Sequence, residues 1–408
     1  MAERGLFERA LGLEWPWRVE RTEFDAAERR LDLHLDFEPG GTFDCPSCGR
    51  GGCKAHDASG KRWRHLDFFQ HRAYLHARVP RVRCPACGVR QARVPWAEPG
   101  SGFTLWFEAL AVALAREMPV RAVARLVGEH DTRLWRLLKR RVGEARAEAD
   151  FSSVRAVAVD ETACRRGHDH ITLFADLDRS RLLYATPTPG RDASVVSLFR
   201  EDLEAHGGRA GSVRDLCMDM SAAYMKGARE AFPEAGVTFD RFHVQRLMNR
   251  AVDEVRRAER KERPELNRTR YLWLKRRGKL TASQREWIGE LLDPSRRSLK
   301  TALAYRFKLA FEAFRTLPPR LAEVYLERWC FWAGKSGLQP VIDAAKTIEK
   351  HWDGILLWFR SRIGNGMIEG INSLVQAAKA RARGYRTTEN FITVAYLVCG
   401  KLNFKLPT

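Results

Sequence analysis

The chain has 408 residues, of which 45% are hydrophobic and 10% aromatic. This length predicts two to four domains, and the composition excludes disordered, collagen-like and low-complexity chains. The 71 Lys and Arg against 51 Asp and Glu give a net charge of +20, which favours a polyanionic partner such as nucleic acid. No apolar run reaches the roughly 18 residues of a transmembrane helix, and no secretion signal is visible. We therefore expect a cytoplasmic enzyme or binding protein that acts on nucleic acid and not at membranes.

Four of the nine cysteines form two matched pairs, Cys45-Pro-Ser-Cys48-Gly and Cys84-Pro-Ala-Cys87-Gly. An odd cysteine count without a secretion signal disfavours a disulfide framework. The two pairs supply the four thiolates of a closed tetrahedral zinc site, and the glycine after each pair lets backbone amides turn toward the sulfurs. We predict one structural Zn²⁺, with a strand near 72–83 between the pairs. The alternative is two pairs of free thiols, and we expect Cys53 at the surface.

A helical pattern follows the linker signal Pro-Gly-Ser-Gly at 99–102. It predicts helices over 103–116 and 119–128, and a third helix that begins near Asp131 as its N-cap. Apolar residues recur at helical spacing along the third helix and are expected in its core: Leu134, Leu138 and Val142.

A second face of the third helix is strongly basic, with five cations at Arg133, Arg136, Lys139, Arg140 and Arg141. An apolar seam for packing and a basic face for phosphates and base edges are what a DNA-binding helix-turn-helix needs. We predict such a domain over 101–150, with these five residues as DNA contacts. An ordinary three-helix connector with a solvated face would have the same pattern.

The pattern changes to strands after residue 153. Three strands are predicted first, then a helix over 193–205, a strand that ends at Asp219, a helix over 222–232 and a short strand through FDRFHV. This order is that of a ribonuclease H-like core, in which the first and fourth strands are neighbours. Asp160, at the end of the first strand, and Asp219 should then face each other. Taken singly, each aspartate could equally be a turn or cap residue.

A third carboxylate, Glu369, lies on a predicted helix near the C-terminal end of the chain. On this helix one face carries a polar stripe with few charges around the glutamate: Asn365, Glu369, Asn372, Gln376, Lys379 and Arg383. A plain solvated face more often mixes Glu with Lys, so we expect this stripe to lie beside a metal and a DNA strand. The bases that follow the glutamate are predicted DNA contacts: Lys379, Arg381 and Arg383.

Three converging carboxylates form the oxygen cage for the two Mg²⁺ (or Mn²⁺) ions that phosphodiester chemistry uses. We therefore predict that Asp160, Asp219 and Glu369 are catalytic and bind magnesium. Asp240 and His243 in FDRFHV, together with Asn365, are candidate auxiliary residues. We find no P-loop and no GxSxG elbow, which leaves ATP-driven and acyl-transfer chemistry without support.

The stretch between Asp219 and Glu369 is far longer than one strand and one helix require. Its residues from about 250 to 355 read as helices, which predicts an all-helical insertion in the core. The segment 256–279 is strongly basic and includes Tyr271 and Trp273. Such a mixture could grip distorted or single-stranded DNA, although core packing is the more usual role of the aromatic residues.

Several motifs together resemble the signature blocks of bacterial insertion-sequence transposases of the ISL-three group: VDETACRRGHDHIT, DMSAAY, FDRFHV, NRAVDEVR, NGMIEGINS and RARGY. The resemblance runs essentially the full length of the chain. It implies a zinc-binding domain, a helix-turn-helix and a DDE-type ribonuclease H-like catalytic domain. Carried over by motif, Asp160 is the first acid, Asp219 the second and Glu369 the third. One departure is His170, where the family pattern has Tyr.

The predicted fold is thus multidomain α/β: a small zinc-ribbon-like domain and a helix-turn-helix precede a ribonuclease H-like mixed sheet interrupted by helices. We predict five segments: 1–100 for zinc binding, 101–150 for the helix-turn-helix, 151–250 for the first part of the core, 251–355 for the helical insertion, and 356–408 for the second part of the core.

The resemblance implies a transposase that binds the terminal inverted repeats of its own element, cuts DNA with Mg²⁺ and joins the freed 3′-hydroxyl to a target. Its expected partner is double-stranded DNA, bound as a homodimer near the bacterial nucleoid. Two alternatives remain open at this point. One is a DNA-binding regulator with a decayed core, and the other is a related nuclease that cleaves without strand transfer.

Overall fold

The computed structural model describes residues 2–165, 169–186, 193–293, 295, 298–314, 316–364 and 366–407. The chain forms two compact units. The first consists of the residues up to Ala147 together with those from Leu402 onward, and the second is Glu148–Lys401. None of the described helices is both long and apolar enough to cross a membrane.

The first unit is built on a mixed six-stranded sheet. The spatial order of five strands is β1-β2-β5-β4-β3, and β6 pairs with β5. The pairing of β2 with β5 is parallel and the other pairings are antiparallel. The elements are α1 (Ala2–Ala10), β1 (Trp17–Asp25), β2 (Arg30–Phe37), β3 (Thr42–Phe43), β4 (Cys53–Arg64), β5 (Arg72–Cys84) and β6 (Gly88–Gln91).

Alternation along the central strands explains why this sheet has one buried face. Since successive side chains point to opposite faces, every second residue of a half-buried strand must be apolar. On β2 and β5 the alternate residues that are buried are Leu31, Leu33, Leu35, Ala73, Leu75 and Ala77. The predicted strand over 72–83 is confirmed as β5.

Three helices complete the first unit: α2 (Leu105–Glu117), α3 (Val120–Val127) and α4 (Asp131–Ala147). The hydroxyl of Thr104 accepts from the Phe107 backbone N–H and caps α2. Gly128, with φ of 68°, ends α3 in the left-handed conformation that glycine tolerates. The predicted core residues of α4 are buried, which confirms the apolar seam: Leu134, Leu138 and Val142.

Arg64, the last residue of β4, joins the sheet to the helical module. Its side chain is 2% exposed, and its guanidinium lies 5.5 Å from the ring of Tyr74 on the sheet and 5.3 Å from the ring of Phe107 on α2. It also donates to the Val127 carbonyl at 3.4 Å and pairs with Glu129 at 3.7 Å. A buried guanidinium needs such partners, so both modules contribute to one packed site.

The second unit contains a five-stranded sheet in the order β11-β10-β7-β8-β9. Strands β7, β8 and β9 are antiparallel neighbours, whereas β10 is parallel to both β7 and β11. The first and fourth strands of this unit are therefore adjacent, as predicted. The strands are β7 (Ala156–Ala163), β8 (His170–Asp176), β9 (Arg181–Ala185), β10 (Asp215–Met218) and β11 (Gly236–Phe239).

Two helices, α5 (Ser194–Ala205) and α6 (Ala222–Ala231), cover one face of this sheet. Val157 and Val159 of β7 belong to the same buried cluster as apolar residues of both helices. Asp160 and Thr162 therefore point to the opposite face, because side chains alternate along a strand.

In the described part of the chain after β11, the next seven α-helices share a core of their own. Trp273 is fully buried in this core, which confirms core packing for that aromatic residue, whereas Tyr271 is exposed. The helices are α7 (Arg241–Glu259), α8 (Arg270–Leu274), α9 (Ala282–Leu292), α10 (Lys300–Phe314), α11 (Pro319–Gly334), α12 (Gln339–Lys350) and α13 (Trp352–Ser361).

The last two helices, α14 (Gly366–Arg381) and α15 (Thr388–Cys399), return to the sheet. The backbone N–H of Ala185 in β9 donates to the Tyr396 hydroxyl of α15 at 2.9 Å. Contacts between α14 and β7 are described with the site below.

Two predicted strand boundaries were wrong. The strand predicted through FDRFHV ends at Phe239, because the Asp240 carboxylate accepts from the backbone N–H of His243 and caps helix α7. Strand β7 does not stop at Asp160 but continues to Ala163, because β8 pairs with it as far as His170.

Lys308 of α10 is a buried cation that holds the end of α8. Its side chain is 1% exposed, and Nζ donates to the carbonyls of Trp273, Leu274 and Lys275 at 2.7, 3.1 and 3.4 Å. These carbonyls lie at a helix C-terminus, where intrahelical donors are lacking. Burial lowers the pKa of Lys308 to about 8, although the nearby Glu312 carboxylate opposes the shift.

We expect the stability of the chain to rise with pH through this group. The lysine pKa falls from its ordinary 10.5 to about 8 on folding, so the unfolded chain binds this proton more tightly and folding gains free energy as pH rises between those values. Lys308→Met should remove up to about 3 kcal/mol of that pH dependence. Apparent thermal unfolding midpoints measured between about pH 7 and 10 report the difference.

The exposed Lys300 at the start of the same helix provides the matched control, and Lys300→Met should keep the wild-type profile. Parallel pH profiles for the wild type and Lys308→Met would show that this lysine titrates normally.

Candidate functional site: a carboxylate edge and a thiol cluster

In the first unit the four predicted zinc ligands come together. The sulfur atoms of Cys45, Cys48, Cys84 and Cys87 all lie within 4.8 Å of one another. In the part of the chain that the structure describes, this is the only group of three or more His, Cys, Asp or Glu ligand atoms that meets so closely. The sulfurs of Cys48 and Cys84, one from each pair, are 3.7 Å apart.

Backbone amides stabilise the thiolate form of the first cysteine in each pair. The N–H groups of Cys48 and Ser47 point at Cys45 and lower the pKa of its thiol. Those of Ala86 and Cys87 lower the pKa of Cys84 to about 6. The turns depend on Gly49 and Gly88, each with φ of 71°, as the sequence predicted.

The donor set suits a soft divalent cation. Contacts with the neighbouring thiols, first with Cys48, raise the pKa of Cys87 to about 12, so four thiolates can coexist here only beside a positive charge. Four protein sulfurs fill a tetrahedral shell and leave no open position for catalysis, which supports a structural zinc. Cys53 is buried beside the cluster, so its predicted surface position was wrong.

In the second unit three aspartates lie at the same end of three adjacent strands. The pairing of β7 with β10 joins Ala158 to Cys217, and Asp160 and Asp219 each follow two residues later. The last pair of β10 and β11 precedes Asp219 and Asp240, and the Asp240 N–H donates to the Met218 carbonyl at 2.9 Å. Since parallel strands end together, the sheet aligns these carboxylates at one edge.

At this edge the pKa of Asp160 is clearly shifted. Burial raises its pKa to about 6, and the nearby Asp240 and Asp219 add to the shift. The Glu161 backbone N–H, which donates to Asp160 Oδ1 at 2.8 Å, and His243 oppose it. A carboxylate that is desolvated among other acids is a typical position for a cation.

Helix α14 presents its predicted polar stripe to β7. The Asn372 amide donates to Asp160 Oδ2 at 2.6 Å, and the Gln376 amide donates to the Thr162 hydroxyl at 2.7 Å. Lys379 Nζ donates to the Ala163 carbonyl at 2.6 Å. The stripe is therefore in contact with the strand that carries Asp160.

Glu369 lies one turn before Asn372 on this helix and is exposed. It does not form a closed cluster with Asp160 and Asp219, because only the cysteines meet within 4.8 Å among the described residues. Asn365, the stripe residue before it, lies outside the described residues. The Asn372 amide oxygen is buried without a hydrogen-bond partner in the described part of the chain. This oxygen is therefore available beside Asp160 to accept a hydrogen bond or to coordinate a cation.

Two features of this edge were missed from the sequence. One is the contact of Asn372 with Asp160, for which the only signal was its place on the polar stripe. The other is a buried hydrogen-bond network in which the Tyr224 hydroxyl of α6 donates to Glu161 Oε1 at 2.8 Å and lies 2.9 Å from the Thr172 hydroxyl. This network ties α6, which follows Asp219, to the strand that carries Asp160.

The predicted DNA contacts of α4 differ in their surroundings. Arg136 is exposed and Lys139 is half-buried. Arg140 and Arg141 both bond to the fully buried Glu108 of α2, so these two guanidiniums stabilise helix packing.

The remaining predicted contact of α4, Arg133, pairs with Glu129 and lies 4.4 Å over the ring of Phe103. On α14 the predicted contact Lys379 is half-buried, as its bond to β7 requires, whereas Arg381 is exposed. The predicted place of Arg383 on the same helical stripe was wrong, because α14 ends at Arg381 and Arg383 follows it, exposed and with φ of 56°.

Comparison with known protein families accounts for both units. A family model of the ISL3 group described as "Transposase" matches residues 157–395, more than half of the chain. A "Helix-turn-helix domain of transposase family ISL3" matches residues 92–142. A "zinc-finger of transposase IS204/IS1001/IS1096/IS1165" matches residues 42–87, which include all four clustered cysteines.

Curated relatives agree with these models. The chain is 29% identical over 403 residues to the transposase for insertion sequence element IS1001 of Bordetella parapertussis, covering 96% of this chain and 97% of that protein. It is 27% identical over 386 residues to the transposase for element IS1557 of Mycobacterium tuberculosis, covering 86% and 85% of the two proteins. The chain therefore belongs to the ISL3 family of transposases.

Proposed function

We propose that this chain binds the terminal inverted repeats of its own insertion sequence, cleaves DNA strands with Mg²⁺ and transfers the freed 3′-hydroxyl to target DNA. One observation carries the proposal. Asp160 and Asp219 each lie two residues beyond the last pair of the adjacent parallel strands β7 and β10, and Asp160 accepts a hydrogen bond from Asn372, one turn after Glu369. The transposase names of the relatives agree with it.

The catalytic core is proposed to be ribonuclease H-like. Three antiparallel strands followed by two parallel strands beside the first, with helices on both faces, support this proposal. On this reading α8 to α13 and most of α7 form the helical insertion. The predicted segments 1–100, 101–150, 151–250, 251–355 and 356–408 stand as proposed domains.

Asp160, Asp219 and Glu369 are the proposed ligands of two Mg²⁺ ions, and the free Asn372 oxygen offers a further hard donor. When bound, such ions activate a water or 3′-hydroxyl and stabilise the leaving oxygen. Asn372 orients the Asp160 carboxylate through Oδ2. Asp240 caps α7 and keeps His243 at the same edge, where this histidine is an auxiliary candidate to orient a phosphate.

The first unit is proposed to recognise the element ends. In the proposed interface the exposed Arg136 and the neighbouring Lys139 face DNA, whereas Arg140 and Arg141 hold α4 against α2. Arg381 and Arg383 are proposed to contact DNA near the carboxylates. A homodimer is proposed because transposition must pair two ends, and the proposed location is the nucleoid of a bacterial cytoplasm.

Replacing the second or the third carboxylate should impair DNA cleavage but not DNA binding. We expect Asp219→Asn and Glu369→Gln to lower the Mg²⁺-dependent cleavage rate by more than about 100-fold, because metal-ion catalysis contributes several kcal/mol. Cleavage and joining of labelled end DNA measure the effect.

Asp215→Asn, at the opposite end of strand β10, is the matched control and should leave cleavage unchanged. Wild-type cleavage by Glu369→Gln would overturn the assignment. Cleavage without joining in the wild type would favour a nuclease, and binding without either would favour a regulator.

The four cysteines should hold one zinc ion per chain. We expect Cys84→Ser to lose the metal and to lower the unfolding temperature of the first unit, because metal binding contributes folding free energy. Metal content by atomic absorption and thermal unfolding measure this change. Cys53→Ser alters a buried thiol outside the four ligands and should retain one zinc, and equal zinc in both variants would contradict the site.

Salt dependence tests the DNA-facing side of α4. Arg136→Ala should weaken end binding and reduce the slope of log affinity against log salt by about 1, since one phosphate contact is lost. Arg140→Ala should chiefly lower the unfolding temperature, because it removes one of the two guanidiniums that pair with the buried Glu108.

Fluorescence anisotropy over a salt series provides the slope. Arg200→Ala removes the same charge from helix α5 of the second unit and serves as control. An unchanged slope for Arg136→Ala would remove α4 from the interface.

A further inference from the structure

Two neighbouring exposed aromatic residues of the second unit lie on α11, outside the basic segment 256–279 that the sequence suggested, in which Tyr271 alone of the two named aromatic residues is exposed. Trp273 is buried, whereas Phe331 is 54% and Trp332 is 62% exposed. Both belong to a stripe at helical spacing along α11, which also includes Leu321, Val324, Arg328 and Lys335. The opposite face of the helix is buried in the core, so this stripe is not needed for folding.

Beside the stripe, α10 and α11 line a shallow, open cavity of about 480 Å³. Its aromatic walls are held by satisfied polar groups, since the Tyr325 hydroxyl donates to the Ala310 carbonyl at 2.8 Å and the Trp329 indole N–H donates to the Phe307 carbonyl at 3.0 Å. The cavity therefore offers mainly apolar ring surface to an occupant. The lining residues are Leu303, Arg306, Phe307, Ala310, Tyr325, Arg328, Trp329 and Trp332.

The charged residues that line this cavity have one sign. Its ionisable lining groups other than Tyr325 are Arg306 and Arg328, and no lining residue is acidic. Lys335 extends the positive rim, with Nζ held 4.1 Å over the ring of Phe331. An aromatic floor under a cationic rim matches a planar base attached to phosphate.

A second copy of the chain fits this surface less well. A two-fold contact places the same patch on both sides, so a single interface would collect Arg328 and Lys335 from both copies. Like charges across an interface disfavour association. The cationic rim thus favours a polyanion.

We propose that the cavity between α10 and α11 binds an unstacked DNA nucleotide, with its base against Trp332 and its phosphates at Arg306, Arg328 and Lys335. The proposal rests on DNA being the ligand of this chain, as in the proposed function. It requires no step of the cleavage chemistry.

The test uses the full chain with zinc retained and no Mg²⁺. Two DNA duplexes each carry one 2-aminopurine, and they differ only in whether this base is paired. The fluorescence of this base is quenched when it stacks on an aromatic ring. We expect the wild type to quench the unpaired base. Trp332→Ala should lose that quenching and should bind the duplex with the unpaired base at least about fivefold more weakly. Its affinity for the fully paired duplex should not change.

Trp287→Ala is the matched control, because this tryptophan is 42% exposed on α9 and does not line the cavity. Trp332→Tyr should restore quenching, which loss of structure would not allow, and Arg328→Ala should weaken binding of the unpaired duplex.

Equal quenching by the wild type and Trp332→Ala would overturn the proposal. So would a Trp332→Ala variant that changes from dimer to monomer in sedimentation and still quenches, since the patch would then bind a second copy. If the wild type binds the paired duplex but does not quench the unpaired base, the proposal for this cavity fails and the proposed function is unaffected. Absence of binding to either duplex would defeat the proposed function as well.

Discussion

The second unit is organised around the cost of burying negative charge. The sheet brings Asp160, Asp219 and Asp240 to one edge, and burial raises the pKa of Asp160 to about 6. Buried carboxylates are stable only where hydrogen-bond donors or cations compensate for the lost hydration. The chain provides such donors through the Glu161 N–H and the Asn372 amide. The Asn372 bond that compensates Asp160 is therefore also one of the contacts that hold α14 against β7, beside those of Gln376 and Lys379.

Local signals in the sequence were sufficient for much of this architecture. The CPxCG spacing located the thiol cluster because ligands and turn glycines are neighbours in sequence. The strands β7 to β11 and the helices α5 and α6 followed from apolar periodicity. The stripe on α14 was visible because helical spacing collects Asn372, Gln376 and Lys379 on one face, although its partner strand was not.

What the sequence could not reveal depends on residues distant along the chain. Glu108 of α2 neutralises Arg140 and Arg141, so a basic face that looked uniform contains two structural arginines. Asp240 reads equally well as a strand end or a helix cap, and only the bond from the His243 N–H decides. Trp273 lies in a basic segment yet fills the core, because α10 packs over it.

Arg64 fixes how the sheet and the helical module of the first unit are placed against each other. The guanidinium of Arg64 is buried between the ring of Tyr74 on the sheet and that of Phe107 on α2. Rotation of one module against the other would separate this charge from its partners, which is costly for a buried cation. The thiol-bearing sheet and the three helices are thus packed as one body. For the proposed DNA interface, this packing fixes the distance between the sheet and α4 before DNA binds.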